Sequence, residues 1–380
     1  MLEHLAQRPT WAEIDLDNLV FNFKSVKNFV GGDIKYMAVV KADAYGHGAI
    51  PCARRLEHEG VDWFGVALPE EGVELRHAGI RKLILCLGSF WHGQEKLILN
   101  NNLTPVVYQL DRAESLDRAA KERNTVVDVH IKIDTGMGRI GVRYDHVAEF
   151  ADRLKEFSSL RVEGLMTHFA SADDLTDDFT SLQIERFNEA HAAFRERGYR
   201  PAYTDLANSP GAIAHPDARA GMVRLGGVLY GLGDDVLPKG IDRPELRPVM
   251  SLHSRIANLK TVPKGESIGY GRTFTTTRET KIATIPIGYQ DGYSRALSNN
   301  GRVIINGKFA PVAGRVSMDW VTVDVTDIEN VQRDNEVILI GQNGESRMTA
   351  EELAINTGSI SYEITCGIHR RVPRHFLNEM

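Results

Sequence analysis

The stretch MAVVKADAYGHGAIPCARRLEHEGVDWFGVA, residues 37–67, places two short apolar runs on either side of a longer charged segment. The runs, Met37–Lys41 and Trp63–Ala67, have the length and composition of buried strands. The charged segment between them has the amphipathic pattern of a helix that covers a sheet. The stretch therefore predicts two parallel strands joined by a helical crossover.

The same alternation continues from about residue 14 to about residue 230, and its apolar runs can be counted. Eight runs are predicted as strands: Met37–Lys41, Trp63–Ala67, Leu83–Leu87, Thr104–Val107, Val127–Ile133, Val162–His168, Tyr203–Ala207 and Met222–Leu225. Eight strands separated by helices predict a TIM (β/α)8 barrel, a fold that typically needs ~250 residues. A doubly wound open sheet is the structural alternative.

The pattern changes after a loop rich in proline and charge, DDVLPKGIDRPELRP, residues 234–248. Closely spaced strands with Gly and Asn turns follow, in RVIINGKFAPVAG and EVILIGQNG for example, which predicts a mainly β domain. One helix interrupts it, with Thr349 as the expected N-cap. We predict a barrel over residues 13–243 and a β-rich domain over 244–380, and residues 1–12 could join either one.

Composition excludes several classes of protein. Hydrophobic residues make up 42% of the 380 residues and charged residues 25%, which is typical of a folded globular chain. Because 45 Lys and Arg are interleaved with 51 Asp and Glu, no basic surface for nucleic acid is expected. No apolar stretch reaches the ~18 residues of a membrane span, and the N-terminus lacks a signal-peptide segment, so we expect a cytoplasmic protein. The 3 scattered cysteines predict neither disulfides nor a metal site.

Polar residues at the ends of the predicted strands matter most, because barrel active sites lie at the carboxyl ends of strands. Lys41 ends the first strand, and Arg224 on the eighth strand precedes Gly226 and Gly227. An amine among apolar neighbours has the lowered pKa that Schiff-base chemistry requires. Bare glycine amides suit a phosphate group. A lysine facing a phosphate cradle predicts pyridoxal phosphate held as an imine.

Other strand ends and turns carry further candidates, although each one alone is more often structural. In the barrel these are Tyr45, Lys132, Arg139, His168 and Ser209. In the β domain, Tyr270 and Tyr289 lie on glycine-flanked turns and Tyr362 lies near the start of an element. Three polar aromatic residues at corners of this domain are candidates for closing an active site.

The ordered motifs AVVKADAYGHG, IKIDTGMGRIG, THFAS, LANSPG, VRLGG, IGYGRTF, IPIGYQDG, GRVSMDW and ISYEI resemble those of bacterial alanine racemases over almost the whole chain. The resemblance implies a pyridoxal-phosphate-dependent homodimer that interconverts L- and D-alanine. It implies that Lys41 binds the cofactor and acts as one base, and that Tyr270 of the other subunit is the second base. Two residues depart from the family pattern: Asp43 replaces the more common Asn, and Gly227 replaces a larger aliphatic residue.

The resemblance also implies roles for the remaining candidates. Phosphate is expected to be held by Tyr45, Ser209, the amides of Gly226 and Gly227, and Tyr362. Arg224 is expected at the pyridine nitrogen, with His168 behind it. Arg139 is expected to bind the ring phenolate and the substrate carboxylate, supported by Lys132 carbamylated to N6-carboxylysine. The partner's Met318 amide is expected to bind that carboxylate, and Tyr289 matches an access-gate tyrosine.

Three other activities stay open at this stage. A racemase for a larger amino acid such as serine or lysine, or a pyridoxal-phosphate-dependent decarboxylase, would use the same architecture. A non-enzymatic carrier of pyridoxal phosphate would need neither the β domain nor Tyr270. D-alanine could be supplied for peptidoglycan synthesis or be consumed in catabolism.

Overall fold

The computed structural model describes residues 8–379. This part of the chain forms two compact units. One unit runs from Leu19 to Arg247, and the other contains the residues from Pro248 onward together with the N-terminal residues up to Asn18. The predicted limits of 13–243 and 244–380 differ from these boundaries by a few residues.

The strands within the described residues are β1 (Thr10–Asp15), β2 (Lys35–Val39), β3 (Trp63–Val66), β4 (Leu83–Cys86), β5 (Thr104–Val107), β6 (Val127–Asp134), β7 (Val142–Arg143), β8 (Leu160–Met166), β9 (Tyr203–Ala207), β10 (Met222–Leu225), β11 (Met250–Arg255), β12 (Asn258–Val262), β13 (Ser267–Ile268), β14 (Phe274–Thr275), β15 (Thr280–Ile285), β16 (Arg302–Ile305), β17 (Lys308–Pro311), β18 (Val321–Asp324), β19 (Glu336–Asn343), β20 (Ser346–Met348) and β21 (Arg374–Leu377). The helices are α1 (Leu16–Val30), α2 (Lys41–Tyr45), α3 (Ala49–His58), α4 (Pro69–His77), α5 (Glu95–Asn100), α6 (Leu110–Glu122), α7 (Val147–Leu154), α8 (Phe179–Glu196), α9 (Ser209–Ala214), α10 (Ala350–Thr357) and α11 (Ser361–Gly367).

The first unit is a closed parallel barrel. Its strands are hydrogen-bonded in the order β5-β4-β3-β2-β10-β9-β8-β6, with the short β7 beside β6. Pairing of β5 with β6, in which Val106 faces His130, closes the sheet on itself. This closure confirms the predicted TIM barrel, and the alternative of an open doubly wound sheet is wrong.

Apolar side chains fill part of the barrel interior. Six of them form one buried cluster contributed by different strands: Met37, Trp63, Leu85, Val106, Met166 and Met222. Helices cover the outer face of such a barrel while side chains fill its inside, so its strands are apolar on both faces. This double burial explains why the barrel strands are continuous apolar runs in the sequence.

The second unit is mainly β, as predicted. Its largest sheet has the strand order β17-β16-β19-β11-β1-β21, and β20 pairs with β19. A three-stranded sheet, β12-β15-β18, and the hairpin β13-β14 complete its strands. The N-terminal strand β1 pairs antiparallel with β11 and parallel with β21, so it joins the β-rich unit. Of residues 1–12, those before Arg8 lie outside the described part of the chain.

The predicted helix of the β-rich unit is α10. The Thr349 hydroxyl accepts a hydrogen bond from the Glu352 amide at 3.1 Å, which confirms the N-cap. Gly358 ends the helix with a φ of 67°, a left-handed conformation that glycine adopts without steric penalty. From residue 8 to residue 379, no helix is long and apolar enough to cross a membrane.

Candidate active site

The chain takes a left-handed turn where the first barrel strand ends. β2 stops at Val39, so the prediction that this strand extends to Lys41 is wrong, and Lys41 instead begins α2. Four successive residues then have φ between 52° and 55°: Ala42, Asp43, Ala44 and Tyr45. Left-handed backbone costs a non-glycine residue roughly 1–2 kcal/mol. Four such residues in succession need compensating contacts.

Several hydrogen bonds stabilise this turn. The Gly46 amide donates to the carbonyl of Ala42 at 3.0 Å, and the Gly48 amide donates to the carbonyl of Asp43 at 2.9 Å. The Asp43 carboxylate also accepts the amide of Ala49, the first residue of α3, at 2.7 Å. A carboxylate is favourable at a helix N-terminus because it meets unpaired amides there. The Asp43 side chain therefore provides the acceptor for the first amide of α3.

Tyr45, Ser209 and Gly226 lie close together at the same end of the barrel. The Gly226 amide donates to the Ser209 hydroxyl at 2.9 Å. A Cβ atom on Gly226 would lie 2.7 Å from the Tyr45 hydroxyl oxygen and 3.8 Å from Ser209 Oγ. The ring of Tyr45 packs against Tyr230 with 5.0 Å between centroids. Gly227 follows at the start of a short 3-10 helix, Gly227–Tyr230. The structure thus brings three of the residues predicted to hold phosphate around one small space.

Arg224 is buried on β10 with acceptors around its guanidinium group. Nη1 is paired with the Asp205 carboxylate. Nη2 donates to the carbonyl of Thr167 at 3.0 Å and to Nδ1 of His168 at 3.2 Å. The predicted neighbours Arg224 and His168 are therefore in contact, although β8 ends at Met166 and His168 lies beyond it.

His168 is neutral in this environment. Burial lowers its pKa to about 2, and the positive charges of Arg224, Arg139 and Lys41 add to the effect. A neutral imidazole whose Nδ1 accepts from Arg224 carries its proton on Nε2. The positive charges of Arg224, Arg139 and Lys41 act on His168, which makes this end of the barrel suited to an anionic ligand.

Lys132 lies inside the barrel, and its Nζ donates to the carbonyl of Thr167 at 3.1 Å. Burial lowers its pKa well below the usual value, and the charges of Arg224 and Arg139 act in the same direction. Arg139 itself is exposed in the loop after β6, where the Asp134 carboxylate accepts the amides of Gly136 and Gly138. The arrangement favours an uncharged amine at Lys132, which is the form that reacts with carbon dioxide.

Asp205 is a residue of this site that the sequence reasoning missed. It is fully buried on β9, and its carboxylate pairs with Arg224. Burial raises the pKa of Asp205, and the adjacent Arg224 guanidinium opposes that effect. A polar residue inside an apolar strand, as in YTDLA, is the signal that could have identified it.

The other candidates lie in the β-rich unit. Tyr270, in a short 3-10 helix, has 73% of its surface exposed. It lines a cavity of about 390 Å³ with Gly269, Arg315, Ser317, Trp320 and Thr322. Met318 and Trp320 are also exposed, by 49% and 47%. This surface displays a tyrosine and two further large side chains to the outside of the unit.

Tyr289 and Met318 lie on two segments that are hydrogen-bonded to each other. The Tyr289 amide donates to the carbonyl of Ser317 at 3.0 Å, and the Gln290 amide donates to the carbonyl of Met318 at 3.1 Å. A Cβ atom on Gly288 would lie 2.3 Å from the Ser317 oxygen, so the contact requires glycine there. Tyr362 lies elsewhere in this unit, half-buried in the first turn of α11.

Comparison with known proteins matches both units. The family models for the alanine racemase N-terminal domain and C-terminal domain match residues 14–234 and 249–376. The alanine racemase of Halothermothrix orenii is 45% identical over 375 residues, covering 98% of each chain.

Solved structures agree with this assignment. An alanine racemase from Clostridium difficile has a TM-score of 0.90 and 40% identity, covering 98% of this chain and 97% of that chain. An alanine racemase from Bartonella henselae with covalently bound pyridoxal phosphate has a TM-score of 0.88 and 28% identity, covering 97% of this chain and 99% of that chain. Since two family models span nearly the whole sequence and relatives match it end to end, this chain belongs to the alanine racemase family.

Proposed function

We propose that the chain interconverts L-alanine and D-alanine with pyridoxal phosphate as its cofactor. The observation that carries this proposal is the position of Lys41 at the carboxyl end of β2, in the barrel that also groups Tyr45, Ser209 and Gly226, in a member of the alanine racemase family.

The barrel residues fit pyridoxal phosphate. The small space beside Gly226 is bordered by the hydroxyls of Tyr45 and Ser209, as a phosphate cradle requires. The positive charges of Arg224, Arg139 and Lys41 near His168 suit an anionic group. The residues that would hold the cofactor are Lys41 at its aldehyde carbon, Arg224 at its pyridine nitrogen, Arg139 at its phenolate, His168 behind Arg224, and Tyr45, Ser209, Gly226, Gly227 and Tyr362 at its phosphate. Bound there, pyridoxal phosphate would supply a carbonyl for the substrate amine and a ring that withdraws electrons from Cα.

Lys41 and Tyr270 are the proposed bases. Racemisation removes the Cα proton from one face of the substrate and returns a proton to the other face, so one base on each face is sufficient. Lys41 would serve the face of D-alanine and Tyr270 the face of L-alanine. Arg224 would donate a hydrogen bond to the pyridine nitrogen and retain its own proton, because a guanidinium does not readily deprotonate. The pyridine nitrogen would then stay unprotonated, so the cofactor ring would withdraw electrons less strongly. This would limit side reactions such as transamination.

Lys132 and Met318 are proposed to support substrate binding. A carboxylated Lys132 would turn a cation into an anion and orient Arg139 toward the substrate carboxylate. The lowered pKa of Lys132 supports this modification, because the uncharged amine attacks carbon dioxide. The partner's Met318 amide would bind the same carboxylate, and Tyr289 would limit access to the site.

We further propose that the active form is a homodimer with shared sites. Tyr270 is 73% exposed, Trp320 in the same cavity lining is 47% exposed, and Met318, two residues before Trp320, is 49% exposed. A second copy of the chain would cover this surface and receive Tyr270 in its barrel. Cytoplasmic location, and a role in peptidoglycan synthesis or in D-alanine catabolism, stay predictions.

Purified enzyme supplied with pyridoxal phosphate should convert L-alanine to an equal mixture of enantiomers, measured by chiral chromatography. Lys41→Ala should lose more than about 10³-fold of this activity together with the visible absorbance of bound cofactor. Lys35→Ala changes an exposed lysine at the opposite end of β2, bonded to Asp62, and should retain both. Faster turnover of serine or lysine than of alanine, or release of carbon dioxide, would overturn the proposal.

A further inference from the structure

The carboxylate of Glu71 connects the ends of two neighbouring barrel strands. Glu71 lies in the first turn of α4. Its Oε2 accepts the amides of Ala67 and Leu68, just beyond β3, at 2.7 and 3.1 Å. Its Oε1 accepts the amide of Ala42, beyond the end of β2, at 2.7 Å. Three backbone donors from two strand ends therefore converge on one side chain.

The bond to Ala42 is placed where the backbone leaves its sheet. The Val40 amide still donates to the carbonyl of Gly65 on β3, at 2.9 Å, as in a strand ladder. Ala42 is the first residue of the left-handed turn, and the acceptor of its amide lies outside the sheet. Glu71 supplies that acceptor with a charge-assisted bond, which is shorter and stronger than a neutral one.

The same bond acts on Lys41. The Ala42 nitrogen is covalently joined to the Lys41 carbonyl carbon, so holding this amide fixes the peptide plane that follows Lys41. Because β3 is the strand beside β2, the contacts to Ala67 and Leu68 tie that peptide to the neighbouring strand end. The direction in which the lysine side chain leaves the backbone depends on both attachments.

We propose that Glu71 is the positioning residue of Lys41: its carboxylate holds the Lys41–Ala42 peptide against the end of β3 and so aims the lysine amine. The consequence for turnover rests on the proposed role of Lys41 as cofactor anchor and base. Sub-ångström placement matters at such a group, since a misplacement of about 1 Å can cost ~100-fold in rate. The hydrogen bonds of Glu71 with the amides of Ala42, Ala67 and Leu68 form a backbone clamp, and this clamp does not depend on the reaction.

Hydrogen exchange of the Ala42 amide tests the clamp directly. In full-length enzyme with and without pyridoxal phosphate, Glu71→Ala should raise exchange of that amide roughly tenfold or more. Glu70→Ala is the matched control, because Glu70 precedes Glu71 on α4, is exposed, and accepts a side-chain hydrogen bond from Gln94. Glu71→Gln keeps one carboxamide oxygen as acceptor. Its exchange rate at the Ala42 amide should lie between those of Glu71→Ala and Glu70→Ala.

Kinetics test the effect on Lys41. Glu71→Ala should lower kcat for alanine by about 10–100-fold with little change in KM, and should slow the return of visible absorbance when pyridoxal phosphate is added to apoenzyme. Glu70→Ala should match wild type in both. If Glu71→Ala does not fold by circular dichroism, Glu71→Gln takes its place in every comparison.

The two proposals fail separately. Wild-type enzyme inactive on alanine would contradict the proposed function, while faster Ala42 exchange in the Glu71 variant would still support the clamp. If the folded Glu71 variant exchanges Ala42 and turns over alanine as Glu70→Ala does, Glu71 does not position Lys41.

Discussion

Arg224 is buried inside the barrel, where acceptors from two segments, β9 and the residues after β8, surround its guanidinium group. Its partner Asp205 is fully buried. Removing one partner of a buried pair leaves the other charge uncompensated, which typically costs about 3–5 kcal/mol. We predict that Asp205→Asn lowers the free energy of unfolding by about 3 kcal/mol, measured by urea denaturation.

Asp234→Asn provides the control for that measurement. Asp234 forms a pair with Arg243 at 2.9 Å, and both side chains are largely exposed. Exposed pairs contribute less than about 1 kcal/mol, so this variant should unfold close to wild type. Equal unfolding curves for Asp205→Asn and Asp234→Asn would show that the buried pair does not stabilise the barrel.

His168 makes stability depend on pH. Its pKa is about 2 in the folded chain and 6.5 in an unperturbed histidine, so unfolding below pH 6.5 takes up a proton at this residue. The contribution of the neutral histidine to the free energy of unfolding is fully present above pH 6.5 and is lost as the pH falls toward 2. The free energy of unfolding should therefore fall from pH 7 to pH 5 by roughly 2 kcal/mol more in wild type than in His168→Gln. Parallel pH profiles for the two proteins would contradict this assignment.

At the scale of single elements, the left-handed turn α2 stores conformational free energy. Ala42 is exposed, so removing its Cβ loses little packing, and its φ of 52° suits glycine. We predict that Ala42→Gly raises the free energy of unfolding by about 1 kcal/mol. In α8, a right-handed helix, the exposed Ala192→Gly should lower it by about 1 kcal/mol. The same sign for both variants, by urea denaturation, would exclude strain in α2.

At the scale of the whole molecule, shared sites predict complementation between inactive variants. Lys41→Ala and Tyr270→Phe should each be nearly inactive, but in a hybrid dimer both changes fall in the same composite site and leave the other site intact. After mixing and reassembly, half of the dimers are hybrids with one intact site, so racemisation should recover to about a quarter of wild type. Chiral chromatography measures the recovery, and native mass spectrometry of tagged subunits measures the exchange.

The control mixture combines Lys41→Ala with Arg224→Ala, since both changes lie in the barrel. Each site of that hybrid keeps one of the two defects, so the mixture should stay inactive. Recovery in the control, or none in the first mixture despite subunit exchange, would refute a site shared between subunits.

Local pattern was enough to predict most elements of this chain. Runs such as Thr104–Val107 and Tyr203–Ala207 form strands with the predicted bounds. A strand that is buried on both faces has a largely apolar sequence, so each run can be recognised by itself. The cap at Thr349 is equally local, since its hydroxyl bonds to an amide three residues away. The lysine, arginine and glycine candidates of the barrel were also visible, because their motifs are short and ordered.

Features that join distant segments needed the tertiary structure. Closure of the barrel depends on the pairing of β5 with β6. The N-terminal strand β1 belongs to the β-rich unit because it pairs with β11, where Thr10 faces Ser254, far along the chain. Asp205 became part of the site only through Arg224 on the next strand, and Lys41 left its strand early because the turn after it is held by Glu71 and α3. Apolar periodicity reports whether a segment is buried, whereas hydrogen-bond partners and left-handed backbone are selected by residues that only the fold brings near.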